Sequence, residues 1–262
     1  MGRTARALHR GAFKILRAVE LLVSVFRAVL TGVSLGILNR DDLQLLDHHY
    51  YDQRGSYLSA DYNLDGLFEW ERRIIKEYFP SKGTLAVLGA GGGREVIGLS
   101  ELGFEVAGYE CHPSLLAAGV QLLRENNISG TLQPMERDRC PQLPEGLDGI
   151  IIGWGAYMLI QGRNRRIDLL RDLRLAVAPG SAMLLSFFAR LASPWRYRLA
   201  MRFARPFRTV LGREMVEEGD YLAPNWVHFF TEEEVRAELE AAGWELLTYR
   251  TSPYGYGVAR AV

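Results

Sequence analysis

From Arg3 to Ser34 polar side chains recur every three or four positions, at Arg3, Arg6, Arg10, Lys14, Arg17, Glu20, Ser24, Arg27, Thr31 and Ser34, with leucine, valine, isoleucine and phenylalanine between them. This spacing predicts an N-terminal amphipathic helix whose polar groups form one stripe and whose broad apolar face must be covered. The rest of the chain, a second subunit or a membrane interface each satisfies that requirement. A transmembrane span is not expected, because Glu20 and Arg27 interrupt an apolar run that would need about 20 residues. Gly32 and Gly36 weaken the helix near its end. Residues 41–61 lose the period and read as a polar, tyrosine-rich connector with His48, His49, Tyr50 and Tyr51, placed to cover a pocket.

A helix over about residues 64–78 ends before Pro80, and the alternation of the core then begins. Residues 85–88 read as a buried strand, followed by glycines and a helix to Leu102. Residues 105–109 and 113–125 repeat strand and helix. A faint strand near 131–133 and a stronger one over 149–152 follow. Next come a helix over 164–177, Pro179-Gly180, and an apolar strand over 182–188. Thr231, with Glu234 three positions on, predicts the capped start of a helix that ends near Ala242. Residues 244–249 and 256–261 are predicted as an antiparallel pair at the sheet edge. The repeated strand and helix imply parallel strands joined by right-handed crossovers.

The 262 residues and 48% hydrophobic content suit one large α/β domain with extensions. Thirty-one lysines and arginines balance 31 aspartates and glutamates, so no overall field points to nucleic acid, and no such partner is expected. The two cysteines, Cys111 and Cys140, form no spaced cluster, so neither a disulfide framework nor a metal site is expected. The N-terminus lacks the order of a secretory leader, which predicts a cytoplasmic protein.

The run Leu85-Ala86-Val87-Leu88-Gly89-Ala90-Gly91-Gly92-Gly93-Arg94-Glu95 carries the most chemistry. A turn poor in side chains lets a ligand approach the backbone, and the helix start behind it supplies unpaired N–H groups. Arg94 stands where the dinucleotide fingerprint has its third glycine, which argues against a nicotinamide-dependent oxidoreductase. No Lys-Ser or Lys-Thr follows, so this is not the phosphate loop of nucleotide hydrolases. Glu110 closes the next strand, where a carboxylate can accept hydrogen bonds from both hydroxyls of a ribose.

Together these residues resemble the class I S-adenosylmethionine-dependent methyltransferases over residues 61–262. Gly89, Gly91 and Gly93 match that family's first motif and Glu110 its ribose-binding acid. Met135, Glu136 and Asp138 fall where the family contacts adenine, and Gly153-Trp154-Gly155-Ala156-Tyr157 where it lines the methyl-transfer site. Pro179-Gly180 and His228-Phe229-Phe230-Thr231 also match recurrent features. The resemblance implies a three-layer Rossmann-like sheet of about seven strands with the last antiparallel. It also implies S-adenosylmethionine as cofactor; the methyl acceptor expected is a small molecule, a hydrophobic one included, through an oxygen, nitrogen or carbon. Residues 1–60 are then an N-terminal helical extension and pocket cover.

One departure is Val87, where the family often has an acidic residue. Arg94 and Glu95 stand where they can meet the methionine end of the cofactor, or else lock the loop in a salt bridge. Trp154 is assigned to the cofactor side, with Tyr157 and His228 as catalytic candidates; each fits core packing as well. Residues 190–213 hold seven arginines and no acid, with Leu199, Phe203, Phe207 and Val210 at helix spacing. This basic insertion and the N-terminal helix predict peripheral association with an anionic membrane; a homodimer through the N-terminal helix is the alternative. A noncatalytic binding or scaffold protein on the same fold is the alternative function.

Overall fold

A computed structural model describes residues 2–190 and 195–262. At its centre β1 (Thr84–Leu88) is flanked in parallel by β2 (Glu105–Glu110) and β4 (Leu147–Ile152). Outside them lie β3 (Thr131–Pro134), parallel to β2, and β5 (Val177–Ala189), parallel to β4. Beyond β5 runs β9 (Gly255–Ala261), reversed, and then β8 (Trp244–Arg250), antiparallel to β9. The path β3-β2-β1-β4-β5-β9-β8 therefore has seven strands and one reversal. Two more strands, β6 (Asp220–Leu222) and β7 (Trp226–Phe230), form an antiparallel hairpin that joins β5 only at Phe188 and Ala189.

Between their polar ends the central strands are apolar because both faces are covered. Leu85, Val87, Ile151 and Leu184 pack with residues of α5 (Glu69–Tyr78), α6 (Arg94–Glu101) and α7 (Pro113–Glu125), such as Ile74, Ile97 and Leu122. Ala86, Leu88, Ile150, Ile152 and Met183 point the other way, with Leu169 and Leu173 of α8 (Arg163–Leu175) and Leu239 of α10 (Glu232–Ala241). The side-chain period of two divides each strand between the two layers.

The expected connector over 41–61 is instead helical: α2 (Arg40–Gln53), α3 (Gly55–Leu58) and α4 (Ala60–Leu64). Asn39 starts α2 through a capping box, its side chain accepting from the Asp42 amide at 2.8 Å while Asp42 accepts from the Asn39 amide at 2.8 Å. The helix expected from about residue 64 begins at Glu69, where Glu71 accepts from the Phe68 amide at 2.8 Å.

The N-terminal helix, α1 (Gly2–Ile37), packs its last third on α9 (Trp195–Val210). A Cβ at Gly32 would collide with the Ala200 carbonyl oxygen, and one at Gly36 would stand 2.9 Å from Phe207 Cβ. These glycines let two helix backbones approach closely. Leu35, Leu43, Ala204 and Trp226 then form a small core joining α1, α2, α9 and β7.

Candidate functional site

Beyond the C-terminal ends of β1, β2 and β4 lies an open pocket with about 970 Å³ of space free of atoms, its mouth included. This is the point where chain order reverses across the sheet, β1 being followed outward by β2 on one side and β4 on the other, and such crevices receive ligands.

The glycine turn forms the floor. Gly89 has φ +65, and a Cβ there would collide with that of Ala156. Gly91 has φ +55 with nothing within 4 Å of its missing Cβ, so its backbone lies open to the pocket. Gly92 lines the pocket, whereas Gly93 turns the chain at φ +96 and caps α6.

Glu110 ends β2 in the same wall, 5% exposed. Its two oxygens accept from the Gly91 amide at 2.6 Å and the His112 amide at 2.7 Å. The carboxylate is thereby fixed in orientation, with lone pairs to spare for further donors. Beside it, burial and the Glu110 charge push the Cys111 thiol up to about 12, so it stays protonated. The His112 ring meets the His48 carbonyl through Nε2 at 3.2 Å, and its Nδ1 is buried without a partner.

Of the two roles open to Arg94 and Glu95, the structure shows the salt bridge. Arg94 donates to both Glu71 oxygens at 2.6 and 2.8 Å, to Glu95 at 2.7 Å and to the Gly66 carbonyl at 2.9 Å. Its guanidinium also lies 3.9 Å from the centre of the Phe68 ring. Burial opposes that charge, but the Glu95 and Glu71 carboxylates outweigh it and hold the guanidinium above its ordinary value. Glu95 in turn accepts from the Trp154 amide at 2.8 Å, so one network ties the glycine loop to α5 and to the loop after β4.

Of the residues expected to cover the pocket, Tyr51 lines it and His48, His49 and Tyr50 do not. Asp47 and Tyr51 of α2, Tyr57 of α3, and Tyr62 and Asn63 of α4 now line it. Asn63 donates to the Tyr57 and Ser59 carbonyls at 3.0 and 2.9 Å and so holds α3 and α4 together. Asp47 pairs with Arg137 at 2.6 Å and accepts from Asn225, while Arg40 pairs with Asp138 at 2.7 Å. Burial raises the Tyr51 phenol well above its ordinary value and the Tyr62 phenol to about 12, which keeps both as neutral donors.

Trp154 lines the pocket, with its ring centre 6.0 Å from that of Phe68. Tyr157 and His228 do not. In the turn after Trp154, Ala156, Leu159 and Ile160 face the pocket, whereas Tyr157 is 0% exposed and donates to Glu238 at 2.5 Å. His228 meets Asp220 through Nδ1 at 2.7 Å, and its ring centre lies 4.5 Å from that of Phe230. Glu217 completes a cluster with Asp220 and His228, but its carboxylate is engaged by Arg166 at 2.7 Å and by the Arg163 amide at 2.6 Å.

No protein-family model and no curated protein matches the sequence. Solved structures do match in three dimensions. A SAM-dependent methyltransferase from Methanosarcina mazei is 17% identical, with 75% of this chain and 99% of that one superposed at a TM-score of 0.59. A SAM-bound amino pentose methyltransferase from Micromonospora echinaspora is also 17% identical, over 83% of this chain and 97% of its own, at 0.54. The cyclase SpnF, 12% identical over 73% and 80% of the two chains, superposes at 0.55. At these identities the likeness shows architecture: this chain has the three-layer α/β fold on which S-adenosylmethionine-dependent methyltransferases are built.

Proposed function

We propose that the chain binds S-adenosylmethionine in the glycine-loop pocket and transfers its methyl group to a small, hydrophobic acceptor. The observation that carries this reading is Glu110, whose carboxylate is oriented by the Gly91 and His112 amides in the wall of a largely apolar pocket. Gly89, Gly91 and Gly92 shape a floor that a ligand can approach, Gly93 turns the chain into α6 behind it, and Glu110 would take the ribose hydroxyls. Trp154, Tyr57 and Tyr62 offer aromatic faces suited to a sulfonium cation. When bound, the cofactor supplies a methyl group already activated for displacement.

The chain's own task is then to align the acceptor and keep water out. Ala156, Leu159 and Ile160 provide an apolar wall, and α2, α3 and α4 close over it. The Tyr51, Tyr62 and Cys111 side chains remain protonated at neutral pH, and Asp47 is paired with Arg137. The site therefore suits an acceptor atom that brings a free lone pair rather than one needing a strong base. Tyr157 and His228 lie outside the pocket, engaged by Glu238 and Asp220, and are given no part in the transfer.

Calorimetry with S-adenosylmethionine, S-adenosylhomocysteine and NAD tests the cofactor. The first two are expected to bind, and Glu110→Ala to weaken both by tenfold or more, since hydrogen bonds to a charged group contribute about 1.5–3 kcal/mol each. Binding of NAD alone sinks the reading. The intact glycine turn and Glu110 serve equally a second reading, binding without transfer; transfer of label from methyl-labelled cofactor to members of an acceptor panel excludes it.

A further inference from the structure

We propose that α1 and α9 together form a docking surface for an anionic lipid bilayer. Ile15, Leu16, Val19, Leu22, Phe26 and Leu30 are 51–69% exposed and lie along the side of α1 turned away from the buried Ala28 and Leu35. At 1.5 Å per residue the stripe from Ile15 to the exposed Ile37 is about 33 Å long. Where Gly32 and Gly36 meet α9, Phe203, Phe207 and Val210 are exposed too and widen the apolar surface.

The charges choose the occupant. Glu20 is the single acid in the two helices, and Lys14, Arg17, Arg27, Arg202 and Arg205 make no ion pair among the described residues. A second copy seated symmetrically on this face would bring the same arginines against each other. Lipid phosphates supply the missing anions, and the apolar stripe reaches the acyl boundary between them. A span across the bilayer would carry α9, with five arginines and packed against the last third of α1, toward hydrocarbon. The helix pair therefore lies flat in the interface.

Flotation of the full chain with phosphatidylcholine vesicles, with and without phosphatidylglycerol, tests this and needs no turnover, so it stands apart from the methyltransferase reading. The chain is expected to float with anionic vesicles and to partition at least tenfold less into neutral ones. The double variant Arg202→Glu, Arg205→Glu is expected to lose tenfold or more of the anionic partitioning, and Leu22→Asp with Phe26→Asp to abolish it. All four sites are exposed, and circular dichroism checks that the variants fold. Equal partitioning into both vesicle types, or into neither, overturns the proposal. Dimers that Leu22→Asp with Phe26→Asp dissociates, in a chain that does not float, assign the face to a second copy instead.

Discussion

Glu71 and Glu95, both buried, converge on the single guanidinium of Arg94. Removing that cation leaves two carboxylates unpaired, and breaking a buried pair in this way costs about 3–5 kcal/mol. Arg94→Leu is therefore expected to melt far below the parent in calorimetry. Arg94→Lys should recover only part of the loss, because an ammonium cannot meet Glu71 with two parallel donors. A second pair, the buried Arg166 with the half-buried Glu217, gives a pH signature. Burial works to raise the Glu217 carboxyl, but Arg166 outweighs it and holds the group below its ordinary 4.5. Its contribution to stability is complete above that value and disappears as pH falls through the lower, folded-state value. Glu217→Gln should accordingly melt below the parent at neutral pH, with the gap closing in acid; a constant gap would refute the assignment. Glu110 was legible in the sequence because a strand end beside a glycine turn leaves few directions for its side chain. Arg94 was not, since its partner Glu71 is fixed by how α5 packs. The same holds for His228 and Tyr157, whose orientation depends on which layer each faces.

Among the elements, the strands and the helices between them could be read from apolar runs punctuated by glycine. The segment over 41–61 could not, because its helices bury few apolar residues and draw their order from caps and cross-chain pairs such as Asp47 with Arg137. The local clue was Asn39 three positions before Asp42, a capping box built from unusual partners. Gly32 and Gly36 show the opposite limit: their cost to an isolated helix is visible in sequence, while the close approach they permit is not. Gly32→Leu is expected to force α1 away from the Ala200 carbonyl at about 1–3 kcal/mol. Hydrogen exchange should then show protection lost over residues 28–37 while the central sheet keeps its own. Retained protection there would mean that the two helices tolerate a wider spacing.

For the whole molecule, one reversed strand fixes the architecture: β9 closes the sheet against β5 over Ala182 to Phe187, and the hairpin of β6 and β7 attaches only at the last two residues of β5. About seven strands were anticipated; the extra hairpin was not, since the three residues Asp220–Leu222 carry too little period to announce it. The pocket and the docking layer draw on different stretches of chain, with no residue of α9 lining the pocket. Within the pocket the floor is backbone against backbone: a Cβ on Gly153 would strike the Gly89 carbonyl oxygen, and one on Gly89 would strike Ala156. A side chain at Gly89 or Gly153 therefore displaces the floor, whereas Leu159, half-buried at the core's edge, presents its side chain to the same space. On the proposed function, a laboratory library aimed at new acceptors therefore has its useful diversity at the half-buried Leu159, beside a floor of glycine that cannot be varied without moving the loop.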